Sequence, residues 1–547
     1  MTRRIPRWLP RGVEPLVLTA LVVAALVVFP VVGVLGHLGD GSTLEVLRHL
    51  ARTVLAEAVL TSLALGALVT LGAILVGTGA AWLVTQYEFP GRRWLTWALM
   101  LPLAMPAFVA AYAYTDWLQF SGPVQGALRG LFGWGPRDYW FPEVRSIPGA
   151  AAVFVAVLYP YVYALARPAF IERSPHLVDA ARTLGCTPRA VFWRVALPLA
   201  RPAMIGGGML ALMEALSDYG AVAYYGLPTF TQSLYNAWFN LGDRAAASQL
   251  AAALLITVAV VVFVERRSRG GARFSTTASP GNPPRVMLRG WRAARACALC
   301  LLPLAAGFAL PAVLLVRLHL RLDDAPRWGS YAQWVFNSLT AGSVTAVAAV
   351  VLALLVAYAG RLQPRPLVQG ANALVGLGYA MPGSVIAVGI LVPLARIDNG
   401  LDAWMRTHLD ISTGLLLTGS LAALVYAYLV RYLAVAYHGI DAGLTRITPS
   451  MDLSARSLGA SPGETLMRVH APLLMRSALA AAVLVFVDTV KELPATLILR
   501  PFNFDTLAVV AHNFAKDERL AEAALPALTI VLVGLIPTLL LSRTTDR

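Results

Sequence analysis

Charge is what this sequence has least of. Asp, Glu, Lys and Arg make up 13% of its 547 residues, about half the share of an ordinary soluble domain. Lysine occurs only as Lys491 and Lys516. Cysteine occurs three times, at Cys186, Cys297 and Cys300, so no disulfide framework is implied. Cys297-Ala-Leu-Cys300 has the C-x-x-C form, but it opens an apolar run and has no second pair. Small apolar filling is its expected role. The eight histidines are scattered, and neither a metal-ligand cluster nor a nucleophile motif can be assembled. This argues against a membrane enzyme. No G-x-x-x-x-G-K-[ST] loop is present, so the sequence offers no phosphate-cradling loop of that form. No cleavage pattern follows the first apolar run, which is expected to be a retained anchor.

What fills the space is apolar. Hydrophobic residues make up 58% of the chain and mean hydropathy is +0.66, which indicates an all-α polytopic membrane protein. Crossing a bilayer takes about 20 apolar residues. Twelve runs qualify: 16–36, 58–83, 95–117, 150–169, 202–224 and 246–264, then 296–316, 338–359, 371–394, 415–434, 478–499 and 521–541. A formal charge of +15 could suggest nucleic acid, but its placement argues otherwise. Arginines cluster before the first run, at Arg92 and Arg93, around 173–201 and through 266–295. Every second loop in the first half is basic, the mark of the cytoplasmic side. Both termini are expected there, with membrane lipid and no nucleic acid as surroundings. The external loop 120–149 carries Trp134, Tyr139, Trp140 and Phe141, as an interfacial aromatic belt would.

The chain contains one stretch twice. Residues 174–198 read SPHLVDAARTLGCTPRAVFWRVALP and residues 448–472 read TPSMDLSARSLGASPGETLMRVHAP. The interval from Gly185 to Gly459 equals that from Pro198 to Pro472, as an internal duplication requires. Ser174-Pro175 and Thr448-Pro449 read as N-cap and first helical residue. Gly185 and Gly459 suit the left-handed residue after a helix. Thr187-Pro188 and Ser461-Pro462 restart a helix, and Ser461 with Glu464 has capping-box spacing. Each copy is therefore a short helix, a glycine turn and a second helix ending near a proline, read either as an ordinary helical hairpin between spans or, given the duplication, as a docking element presented twice to a two-fold partner. The Met105-Pro106 pair returns as Met381-Pro382, each inside an apolar run, where a kink is expected. The duplication thus spans residues 1–265 and 293–547, joined by a Gly-, Pro- and Arg-rich cytoplasmic linker over 266–292. Six spans per half imply parallel repeats about a pseudo-two-fold axis along the membrane normal.

Charges inside spans are costly and tend to face a cavity or a partner. Ser217-Asp218-Tyr219 falls late in the fifth run, and Lys491-Glu492 lies in register with it in the second half. Asp218 and Glu492 form a matched pair of carboxylates. They are candidate pathway residues nearer the external end, together with Ser217, Tyr219 and Lys491. Lys491 has Glu492 and Asp488 as possible partners, and an ion pair between them is the structural alternative.

The repeated stretch resembles the EAA loop of permease subunits of ATP-binding cassette importers. Ala180, Ala181, Gly185, Leu197 and Pro198 fit that motif in the first copy, and Ala455, Gly459 and Pro472 in the second; the docking residues this implies are Asp179, Ala180, Ala181, Leu184 and Gly185, with Ala455, Leu458 and Gly459. The leading Glu of that motif is Asp179 here and Leu453 in the second copy, and the Leu before the second proline is Ala471. The segment DTVKELPATLILRPFNFDTLA, 488–508, and LSDYGAVAYYGLPTFTQSLYNAW, 216–238, resemble ferric-iron importer permeases, in which two six-span units are fused. The resemblance implies two tandem six-helix type I, MetI-like units and two copies of a cytoplasmic ATPase on the loops. It also implies a periplasmic iron-binding protein outside and an inner-membrane location. ATP and Mg²⁺ would be used by the ATPase, with no cofactor bound by this chain. Fe(III) prefers oxygen ligands, and transient contact at Asp218 and Glu492, near Tyr219, Tyr224 and Tyr225, suits it; no resident metal site is expected. Thiamine and phosphonate importers use permeases of similar build. A secondary transporter also often has twelve spans, but does not need duplicated glycine-centred cytoplasmic helices.

Overall fold

The apolar runs become helices, because a bilayer tolerates only backbone whose polar groups are bonded internally. A computed structural model describes residues 14–36, 43–171, 183–269, 285–322 and 328–545. Among the described residues, eleven helices are long and apolar enough to cross a membrane. A pair bent through 90°, Arg92–Ala104 and Ala107–Phe132, supplies a twelfth. Each of the twelve expected runs overlaps one of these, although several ends differ.

The differences concentrate at prolines. The Met-Pro pairs break their helices rather than kink them. In the first half the turn Leu101–Ala104 ends in extended Met105, and Pro106 (φ −64°, ψ 139°) opens helix Ala107–Leu118. In the second, Gly378–Ala380 ends in extended Met381, and Pro382 (φ −60°, ψ 139°) opens Gly383–Leu409. Proline lacks an N–H and disfavours helical backbone in the residue before it. At Pro198 and Pro472 the opposite holds. The helix expected to end there runs on, through π-helical turns Phe192–Ala196 and Leu466–His470, into Leu197–Ser217 and Ala471–Val490. The wider turn eases the clash between the ring and the carbonyl one turn back. A third such turn, Ala305–Ala309, precedes Pro311 in the same way.

The chain folds as two compact units that are not its two sequence halves. One comprises Met1–Asp40 with Ala332–Thr506, the other Gly41–Tyr331 with Leu507–Arg547. The first span of each half therefore belongs to the unit built mainly from the other half. Helix Glu14–Gly36 crosses Gly383–Leu409 at Gly33 and Gly389. A Cβ on Gly33 would lie 2.1 Å from the Gly389 carbonyl oxygen, so only glycine permits the approach. In the other unit a Cβ on Gly307 would lie 2.0 Å from the Ala156 carbonyl oxygen. The linker is structured at its end. Val286–Met287 pairs in parallel with Tyr87–Glu88, Arg285 lies 3.7 Å from the Glu88 carboxylate, and the next helix begins at Trp291. Linker residues 270–284 lie outside the described residues.

Candidate functional site: duplicated loops and membrane carboxylates

The second loop has the local structure its sequence requires. Helix Pro449–Ser457 starts after Thr448, and Gly459 takes φ +84°. The Ser461 N–H donates to Glu464 Oε2 (2.9 Å) and the Glu464 N–H to Ser461 Oγ (3.3 Å), completing the capping box. In the first loop Gly185 takes φ +81°, and Thr187 Oγ1 accepts from the Ala190 N–H (3.3 Å). Nothing lies within 4 Å of a Cβ built on either glycine, so backbone conformation alone requires glycine there. Just before each turn a leucine stands in the open, Leu184 at 83% and Leu458 at 87% exposure, while Ala455 is buried. Asp179, Ala180 and Ala181 lie outside the described residues.

Both carboxylates sit just past a helix end rather than within a helix. Helix Leu197–Ser217 stops at extended Asp218. Its Oδ1 accepts from the Ala221 N–H (2.8 Å) and its carbonyl from the Thr231 hydroxyl (2.7 Å). Ser217 is buried. Tyr219 stacks on Tyr235, ring centroids 3.8 Å apart, and lies 5.5 Å from His512. Sequence reasoning missed His512, which arrives from far along the chain between the last two spans. Burial pushes its imidazole down to about 4, so the ring is neutral near pH 7, and its Nδ1 shares a hydrogen bond with the Tyr112 hydroxyl (2.8 Å). Tyr112 packs edge-on against Tyr224, and Arg145 covers the Tyr224 ring. Arg145 also lines a cavity of about 380 Å³ with Gln119, Gln125, Tyr139 and Glu143.

Glu492 is held differently. It follows helix Ala471–Val490 and is 4% exposed. Its Oε1 accepts from the Ala495 N–H (2.9 Å), and Oε2 accepts from the Thr496 N–H (3.1 Å) and hydroxyl (2.6 Å). The Tyr428 hydroxyl reaches Thr496 Oγ1 at 2.7 Å. Buried Arg431 brings Nη1 to 3.7 Å from Glu492 Oε1. Lys491 pairs with Asp488 at 2.8 Å. The sequence did contain a signal for Arg431, a lone arginine inside the run 415–434, with Val157 in register in the first half. Among the described residues no group of three or more His, Cys, Asp or Glu could hold a metal ion.

Residues 73–266 match the family model described as binding-protein-dependent transport system inner membrane component. The molybdenum transport system permease protein ModB of Escherichia coli is 30% identical over 227 residues, which cover 40% of this chain and 94% of that protein. The chain belongs to this permease family. Two relatives match nearly all of the permease. The Fe(3+)-transport system permease protein FbpB 2 of Haemophilus influenzae is 24% identical over 556 residues, 99% of each chain. A probable ABC transporter permease protein of Sinorhizobium fredii is 24% identical over 562 residues, 96% of this chain and 94% of its own. The permease is thus a multi-pass membrane transport subunit of type I build, with two six-span sets fused in one chain.

Proposed function

We propose that this permease carries Fe(III) from a periplasmic iron-binding protein across the bacterial inner membrane, driven by two copies of a cytoplasmic ATPase. The observation that carries the reading is likeness over 99% of both chains to a protein named as an Fe(3+)-transport permease. Each duplicated loop offers one ATPase an exposed leucine beside a fixed glycine turn. ATP and Mg²⁺ belong to that partner, and this chain supplies no cofactor site. The arginine clusters put both termini and the linker on the cytoplasmic side. Asp218, partly exposed and next to the Tyr219 phenol, suits the passage of a hard cation. Glu492, held by Arg431 and Thr496, suits a structural lock within its own unit.

Uptake of radiolabelled Fe(III) tests the reading. Cells lacking the permease should lose uptake, and the cognate binding protein and ATPase should both be needed to restore it. Thiamine and phosphonate uptake should not change. Iron uptake that is independent of the permease, with thiamine or phosphonate uptake dependent on it, would overturn the assignment.

A further inference from the structure

The acid that heads the first loop, Asp179, has Leu453 at its place in the second, and Leu453 is 64% exposed. The second loop's carboxylate stands one residue earlier, at Asp452, and it turns inward. Its Oδ2 accepts from Arg361 Nε (2.9 Å) and Nη2 (2.8 Å). Its Oδ1 accepts from Nε2 of fully buried His470 (2.6 Å). The Arg361 guanidinium reaches further, donating to the carbonyls of Leu444 (2.6 Å) and Ile447 (2.8 Å). Tyr358 packs against His470 and donates its hydroxyl to the Pro462 carbonyl (2.9 Å). The carboxylate thus joins the short helix Pro449–Ser457 to two spans, Trp328–Leu362 and Pro462–Val490, and its partner Arg361 reaches the end of a third, Leu421–Thr445.

The first half does not carry these three residues at the matching places. In register with Arg361, Asp452 and His470 stand Thr85, Val178 and Ala196. Trp82, in register with Tyr358, instead packs against Phe192 and Phe170, with ring centroids 4.7 and 5.4 Å apart. Charge-assisted hydrogen bonds are short and directional, whereas the tilted and edge-on ring contacts at Trp82 involve no ionised group. We propose that Asp452 is a positioning residue that ties the second docking helix to its spans, so that the two loops transmit ATPase motion through unlike connections. The inference rests on the reading that these loops dock the ATPase.

The test uses the full permease with its ATPase in proteoliposomes. It measures ATPase retained, ATP hydrolysed and cargo imported. Asp452→Ala should keep both ATPases bound yet raise the ATP hydrolysed per cargo imported severalfold. Asp452→Glu, which keeps the charge, should restore the ratio. The pair Asp452→Leu with Arg361→Met removes both part-buried charges together, so it guards against misfolding. It should recover protein level without recovering coupling. Wild-type coupling in Asp452→Ala, or in the apolar pair, overturns the proposal. Cysteine cross-links from positions 453 and 458 to the ATPase separate the two failures. Absent cross-links in the wild-type background defeat the docking reading itself. Present cross-links with normal coupling in Asp452→Ala defeat only the role of Asp452.

Discussion

Asp218 and Glu492 occupy matched places in the sequence, and their surroundings set them apart. Glu492 accepts three hydrogen bonds and faces buried Arg431. Removing one member of such a pair leaves a buried charge, at a cost of about 3–5 kcal/mol. Glu492→Gln is therefore expected to lower the amount of permease in the membrane. Glu492→Leu with Arg431→Met should bring it back, as immunoblots of membrane fractions will show. Asp218 is partly open, and an asparagine there can still accept from the Ala221 N–H. Asp218→Asn should leave protein level and ATPase binding at wild type. Iron uptake should fall about tenfold, an effect of the size seen when groups supporting a metal's ligands are lost. Undiminished uptake would leave Asp218 a helix-end cap and nothing more.

The elements that can be read most directly from sequence are the glycine turns. Gly185 and Gly459 have φ near +80° with nothing close to their missing Cβ. A valine at either place meets conformational cost alone, about 1–3 kcal/mol for a non-glycine residue held there. The change is local, so Gly185→Val and Gly459→Val should insert normally but retain less ATPase on co-purification. Gly459→Asn should be milder, because asparagine tolerates the left-handed region. Equal ATPase retention in all three variants would mean that the turns do not orient the docking leucines. The helix boundaries were harder to read. Met105-Pro106 and Met381-Pro382 break the chain, while Pro198 and Pro472 do not, although all four lie in apolar surroundings. A π-helical turn precedes Pro198 and Pro472, yet Pro160 and Pro393 lie inside helices without one, so neither a proline nor hydrophobic periodicity reports where a helix breaks.

The whole molecule is organised by exchange of first spans. Helix Glu14–Gly36 belongs to the unit made mainly of the second half. A fragment of residues 293–547 alone therefore lacks a helix that its fold uses and should be degraded. Co-expression with residues 1–265 should rescue it, measurable as protein half-life after a translation block; a stable lone fragment would contradict the exchange. Topology is a separate expectation. In a background without Cys186, Cys297 and Cys300, Ser275→Cys should resist an impermeant thiol reagent applied from outside and react in inverted vesicles. Labelling from outside would reverse the assigned orientation.

The sequence by itself determined what depends on neighbours a few residues apart. Apolar runs set the spans, Ser461 and Glu464 set the capping box, and glycine set the two turns. The duplication was visible because it repeats those local signals. Tertiary structure decided which distant groups compensate each other: Arg431 with Glu492, Arg361 and His470 with Asp452, His512 with Tyr112. It also decided that each half's first span joins the other unit. Ion pairs and helix crossings depend on distances in space between residues far apart in the chain, and no helical period or turn residue specifies those distances.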